Sequence, residues 1–254
     1  MTKLSITLVQ CHLYWENPDK NRNHLDSLIS DGIETDIFIL PELFSTAFSV
    51  TCQGEVMYGE SMQWMSKLAQ EKKASVVGSL IVSENGKKYN RLIWMNPDGT
   101  YFHYDKRHLF GMMNEGDYFN AGKDRLVIDF KGWKICPLIC YDLRFPVFSR
   151  NNENFDLLIY VANWPVSRIE HWDKLLVARA IENQCYVAAV NRVGQDINGV
   201  EFNGHSSLIN YNGKLIFRGV EKEQVKTLTI DKIDLMNCRS KLPFLKDMDS
   251  FSID

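Results

Sequence analysis

The sequence predicts an α/β chain with mixed sheets, and three observations carry that prediction. Short apolar, β-branched runs recur along the chain, segments between some of them place apolar residues at helical spacing, and turn signals join other runs directly. The runs are "LSITLVQ", "DIFILPE", "ASVVGSLIV", "RLIWMNPDG", "DRLVIDF", "WKICPLIC", "FDLLIYVAN", "CYVAAVN" and "SSLINYNG". Helical patterns cover about 17–31, 59–73, 143–154 and 167–184, the last reading "SRIEHWDKLLVARAIENQ". Asn96-Pro97-Asp98-Gly99, the "KGW" link at 131–133 and Asn212-Gly213 make neighbouring strands hairpins, which disfavours a purely parallel barrel.

A chain of 254 residues is within reach of one large domain, and no linker, repeat or low-complexity segment divides it. The domain is read as 1–254. The tail at 233–254 loses the periodic pattern and reads as an extension that docks on another surface or on a neighbouring subunit. The formal net charge is -3 and no basic stripe appears, so nucleic acid is not an expected partner. "MTKLSITLVQ" is too short for a signal segment and no run approaches the ~20 apolar residues of a membrane span, so a cytoplasmic chain without a membrane partner is expected. Six scattered cysteines read as reduced thiols.

Within "PLICYDLRFP", Cys140 ends a strand-like run and precedes polar residues and a helical pattern. A sharp strand-to-helix turn there would expose the thiol and aim the backbone amides of Tyr141 and Asp142 at whatever it attacks. The ordinary alternative is a small core hydrophobe. Cys136 lies four residues earlier on the same strand, about 13 Å away at ~3.3 Å per residue, so the two share neither a metal nor a disulfide. Cys136 is read as core packing.

A thiol nucleophile needs a proton acceptor and a group that stabilises negative charge on the substrate. Glu42 in "FILPELF" follows an apolar run at a strand end, where burial would raise a carboxyl pKa and suit it to general-base work; a solvated loop glutamate is the alternative. Lys106 follows the strand-like "TYFHY", with His108 and Glu115 downstream; a surface lysine is the alternative. Arg144 is the cation nearest Cys140 in sequence, and either binds a substrate carboxylate or pairs with a local aspartate. Trp164 either walls a pocket or packs in the core, and Arg179 with Glu182 reads as a structural pair on one helix face.

"LPELF", "DKRHLF" and "LICYDLRFP", in that order, together with "YVANWP", "ARAIENQ", "NRVG" and "NGHS", make the chain resemble the nitrilase, or carbon-nitrogen hydrolase, superfamily from about Leu4 to Arg218. The wording around Cys140 and "SITLVQCHLYWENPDKN" is most similar to the ω-amidase branch. The resemblance implies a four-layer αββα sandwich of two mixed sheets, assembly into homodimers or larger oligomers, and no cofactor or metal. It implies Cys140 as nucleophile, Glu42 as general base, Lys106 as the cation for the tetrahedral intermediate, and Glu115 as a second glutamate orienting the lysine. Tyr141, Arg144 and Trp164 are the expected substrate-binding residues. The implied activity is release of ammonia from the terminal amide of a 2-oxo dicarboxylic acid monoamide, 2-oxoglutaramate or 2-oxosuccinamate, through a cysteine thioester. Three alternatives stay open from sequence: a sister amidase or nitrilase, a Cys-His hydrolase using His108 or His205, and a binding protein without chemistry.

Overall fold

The computed structural model describes residues 2–252; residues 1, 253 and 254, which the predicted domain and tail include, lie outside the described residues. In chain order the strands are β1 (Lys3–Gln10), β2 (Ile37–Ile39), β3 (Glu55–Val56), β4 (Ser75–Glu84), β5 (Lys87–Met95), β6 (Tyr101–Asp105), β7 (Ile128–Phe130), β8 (Trp133–Ile139), β9 (Leu157–Ala162), β10 (Tyr186–Asn191), β11 (Val193–Gln195), β12 (Glu201–Asn203), β13 (Ser207–Ile209), β14 (Leu215–Arg218) and β15 (Gln224–Asp231). The α-helices are α1 (Pro18–Leu28), α2 (Glu60–Lys72), α3 (Glu115–Tyr118), α4 (Ile169–Asn183) and α5 (Lys232–Lys241).

Two mixed sheets result, ordered β15-β1-β2-β4-β5-β6, with β3 paired to β4, and β14-β13-β10-β9-β8-β7. Within the first sheet β1, β2 and β4 run parallel, and within the second β8, β9 and β10 do. Strand alternation explains why the sheets stack. Leu4, Ile6, Leu8, Ile37, Ile39, Val77, Leu92 and Trp94 point into a core shared with the second sheet. Their sequence neighbours Val9, Phe38, Val76, Ile93 and Met95 point the other way, into a core with Leu25 of α1 and Met62 and Met65 of α2. On the far side of the second sheet α4 buries Trp172, Leu176 and Ala180. Helix, sheet, sheet and helix form the four layers expected.

Local chemistry sets the element ends. Asn17 caps α1 by accepting the Lys20 amide at 3.1 Å, with proline next in line. Lys131 and Gly132 both take positive φ, the backbone a two-residue hairpin needs between β7 and β8. The Asn96–Gly99 and Asn212-Gly213 turns likewise close β5 onto β6 and β13 onto β14.

One predicted helix is absent. Residues 143–154 do not form an α-helix: a 3-10 turn over Cys140–Arg144 is followed by irregular turns. Pro146 lacks the amide a helix needs and holds Phe145 in an extended conformation. The Asn151 side chain then pins Phe155 through both its amide and its carbonyl, bending the chain directly into β9. Conversely α5 arises where the periodic pattern fades. It buries Leu235 and is fastened by polar contacts to this same chain: Arg239 bonds the Asp156 carboxylate and the Phe155 and Gln184 carbonyls, and Lys232 bonds Asp156.

Candidate active site

The residues of interest sit where strands of both sheets end on the same side of the sandwich, the usual location of a site in open α/β sheets. Glu42 follows β2, Lys106 follows β6, Cys140 follows β8 and Asn163 follows β9. Each is the first or nearly the first residue free of its strand's ladder, so position and chemistry are set together.

Lys106 joins the two glutamates. Its Nζ lies 2.9 Å from Glu42 Oε1 and 2.9 Å from Glu115 Oε2, and all three side chains are buried, at 1% exposure or less. Burial would lower the lysine pKa, but the Glu115 and Glu42 charges outweigh it and hold the ammonium well above the ordinary lysine value. Asn90 Nδ2 donates to Glu42 at 2.9 Å and to Glu115 at 3.3 Å. The Asn163 backbone amide donates to Glu42 Oε2 at 2.9 Å, and its side chain donates to the Glu42 carbonyl at 2.6 Å. Glu115 also accepts the Phe110 amide, so the short helix α3 and the loop before it close over the lysine. Glu42 is therefore not the lone carboxyl in an apolar setting that "FILPELF" suggests, but a fixed acceptor within a charged network.

Cys140 is held at φ +40°, a left-handed conformation that a cysteine rarely adopts. Asp142 braces this elbow. Its carboxylate accepts the Ile139 amide at 3.0 Å, the Tyr104 hydroxyl at 2.7 Å and the His108 amide at 3.1 Å, and contacts His108 Nδ1 at 2.8 Å. His108 stacks on Phe145 with ring centroids 3.7 Å apart. Arg179 donates to the Leu143 carbonyl at 2.7 Å and pairs with Glu182 at 2.8 Å, the structural task read for it. The Cys140 residue is 8% exposed, and its thiol pKa is pushed well above the ordinary value by burial first and by the Glu42 charge second, while Lys106 and the Asn163 backbone oppose the rise. Cys136 is buried in the core shared by the two sheets, as expected.

A cavity of about 220 Å³ opens over Cys140 and Lys106. Tyr141, Arg144, Asn163, Trp164 and Arg168 help line it, with Phe48, Phe110 and the exposed Met112 and Met113 among the apolar walls. Trp164 does both things weighed for it, facing the cavity and packing on Trp172 at 5.4 Å between ring centroids. Arg144 does not pair with an aspartate: among the described residues its side-chain partners are His171 Nδ1, at 3.1 Å, and the Trp164 ring, 4.8 Å from Cζ. Neither His108 nor His205 lines the cavity, and His205 is engaged by Asp173 at 3.0 Å. Among the described residues no group of three or more His, Cys, Asp or Glu side chains is gathered to hold a metal ion.

The four residues proposed from sequence as a reacting group thus converge, and Asn90, Asn163 and Arg168 join them without having been singled out. Asn163 sat inside the quoted "YVANWP", at the polar end of an apolar run, which is the same signal that marks Glu42. Asn90 carries no comparable signal because it lies inside a strand. A thiol, a hydrogen-bonded carboxylate and a buried ammonium in one enclosed site are the parts of acyl transfer at a carbonyl carbon.

The profile of the carbon-nitrogen hydrolase family matches residues 5–241. The chain belongs to that family. This carbon-nitrogen hydrolase is 39% identical over 255 residues to Omega-amidase YafV of Escherichia coli strain K12, with 100% of both chains covered. It is 33% identical over 254 residues to 2-oxoglutaramate amidase of Bacillus subtilis strain 168, covering 97% of this chain and 98% of the other. A crystal structure of a CN-hydrolase superfamily protein from Xanthomonas campestris, with an arsenic adduct in its active site, matches at TM-score 0.95 and 42% identity over 100% of both chains. Among the described residues, no helix of the hydrolase is long and apolar enough to cross a membrane.

Proposed function

We propose that this carbon-nitrogen hydrolase releases ammonia from the terminal amide of a 2-oxo dicarboxylic acid monoamide, 2-oxoglutaramate or 2-oxosuccinamate, through a thioester on Cys140. The observation that carries the reading is the buried Glu42–Lys106–Glu115 cluster beside the Cys140 elbow, beneath a cavity bearing arginines. The ω-amidase and 2-oxoglutaramate amidase names of its full-length relatives support the substrate class.

The thiol is held protonated by its surroundings, so attack is coupled to proton transfer rather than preceded by it. Sγ attacks the amide carbon as Glu42 takes the proton, and the oxyanion is met by Lys106 and the Tyr141 backbone amide. With both glutamates ionised, the cluster with a neutral thiol carries one net negative charge before attack. Afterwards Glu42 is neutral and the oxyanion carries that charge, so the site's total does not change. Protonated Glu42 then gives its proton to the departing nitrogen, ammonia leaves and the thioester remains. Water enters, Glu42 takes its proton, and the second tetrahedral intermediate collapses to the free acid and the thiol. Glu115 keeps Lys106 aimed at the reacting carbon, and Asn163 and Asn90 orient Glu42.

The same reading takes the enzyme as a cytoplasmic homodimer or larger homo-oligomer; exposed Ile181, Ile233 and Met236 on α4 and α5 support assembly. The test is ammonia release from 2-oxoglutaramate, glutamine and a simple nitrile by the wild type and Cys140→Ala. Release from the oxo amide, abolished by the substitution, is the expected result. Activity on the nitrile alone would make the chain a nitrilase, and activity surviving Cys140→Ala would remove the nucleophile.

A further inference from the structure

The cavity over Cys140 holds two guanidinium groups that the steps at sulfur do not use. Arg144 and Arg168 both line it, and among the described residues neither forms an ion pair with a carboxylate. Arg144 Cζ lies 4.8 Å from the Trp164 ring centroid, and Arg168 Cζ lies 5.4 Å from that of Phe110, so each is propped by an aromatic face. Lys106, the third cation at the cavity, is already matched by Glu42 and Glu115. The acid lining the cavity is Asp196, whose carboxylate accepts the Asn198 and Val200 amides within its own hairpin. Both guanidiniums face the same cavity, and partial burial first and the charge of Arg144 second lower the Arg168 pKa accordingly. Two unpaired like charges facing one cavity are offset when an anion sits between them, and a planar guanidinium matches a carboxylate in two-pronged fashion.

We infer that Arg168, with Arg144 beside it, receives the 1-carboxylate of the substrate and thereby selects 2-oxo acid monoamides over uncharged amides. The inference rests on the amidase reading for its substrate and assigns a specificity residue that the motifs around Cys140 do not contain. Geometry favours Arg168 as the principal donor. The nearest side-chain partner of Arg144 is the imidazole of His171, whereas no side-chain hydrogen bond restrains the Arg168 guanidinium among the described residues. The Arg168 carbonyl accepts Trp164 Nε1 at 2.8 Å, a contact that survives any change of its side chain.

The experiment has two arms. In the first, kcat/KM is measured for 2-oxoglutaramate and for 4-oxopentanamide, which keeps the chain and replaces the carboxylate by methyl. Arg168→Met should lower the ratio of the two by about 10- to 100-fold, the range of a lost charge-assisted hydrogen bond, and Arg168→Lys should restore part of it. In the second, 2-oxoglutarate is titrated calorimetrically into Cys140→Ala protein with and without Arg168→Met, and the second substitution should weaken binding by a similar factor. A ratio and a binding constant both unchanged within about twofold would overturn the clamp, as would equal losses on both amides. If the wild type hydrolyses neither amide while 2-oxoglutarate still binds in an Arg168-dependent way, the amidase reading falls and the anion site stands.

Discussion

The Glu42 carboxylate and the Lys106 ammonium lie 2.9 Å apart, both buried, although 64 residues separate them in the chain. The contact forms because β2 and β6 belong to one sheet and end on the same side, so each residue leaves its strand facing the same space. Glu115 completes the cluster from the start of α3, in the segment that follows β6.

Sharing one cation between two carboxylates makes the partners unequal. Lys106→Met leaves two buried acids without a counter-charge and is expected to destabilise the fold by about 3–5 kcal/mol. Glu115→Gln leaves Lys106 paired with Glu42 and should cost about 1–3 kcal/mol. Urea unfolding midpoints for the two variants check the order; equal losses would mean that the lysine is not shared.

Glu42→Gln should act in opposite directions on activity and on thiol reactivity. Without a proton acceptor, ammonia release is expected to fall by about 10²- to 10⁴-fold. The Glu42 charge also raises the Cys140 pKa, so its removal makes the thiol more acidic. Iodoacetamide should therefore label Cys140 faster in the variant than in the wild type at pH 8. Slower labelling in the variant would contradict the assigned electrostatics.

Alkaline pH should unfold the protein through its buried thiols and phenols. Burial raises Cys136 to about 12, raises Cys11, Cys185 and Cys140 well above the ordinary thiol value of 9.0, and raises Tyr104 and Tyr160 above theirs. The folded state thus holds protons that the unfolded chain releases. Their contribution is fully present below about pH 9 and is lost as pH climbs from the unfolded values toward the folded ones. Unfolding midpoints measured from pH 7 to 11 should be flat up to about 9 and then fall, and Cys185→Ala should shallow the fall while lowering the midpoint at pH 7.

The elbow depends on Asp142. Asp142→Ala strands buried donors on Ile139 and Tyr104 and should cost about 1–3 kcal/mol together with most of the activity. His108→Gln, by contrast, should leave the shape of the pH–rate profile unchanged, because the ring braces Asp142 and does not line the cavity. A profile that loses a limb in His108→Gln would revive the Cys-His alternative.

How far the sequence could be read depended on which forces placed each residue. The apolar runs of "LSITLVQ" and "DIFIL" report strands buried on both faces, because alternate side chains must face one core or the other. Glu42, Lys106 and Cys140 were legible because strand ends and short motifs carry them. The 143–154 segment misled because its apolar spacing is helical while Pro146 and the Asn151 network dictate turns. Asn90 and the last helix α5 escaped for a shared reason: both are held by polar contacts across distant parts of the chain, which leave no periodic trace. Arg168 carried no signal in the sequence, and folding brings it to the same cavity as Arg144.

The central claim is a covalent acyl group on Cys140, and acid-quenched turnover of the 5-(4-nitrophenyl) ester of 2-oxoglutarate by Glu42→Gln, followed by intact-protein and peptide mass measurement, tests it most directly, because nitrophenolate departs without the proton that Glu42 supplies to an amide nitrogen. Slowed water activation in that variant should let the thioester accumulate, adding the mass of the substrate minus nitrophenol to the peptide carrying Cys140. Turnover with no adduct on that peptide at any quench time, or with an adduct on another residue, would contradict the account.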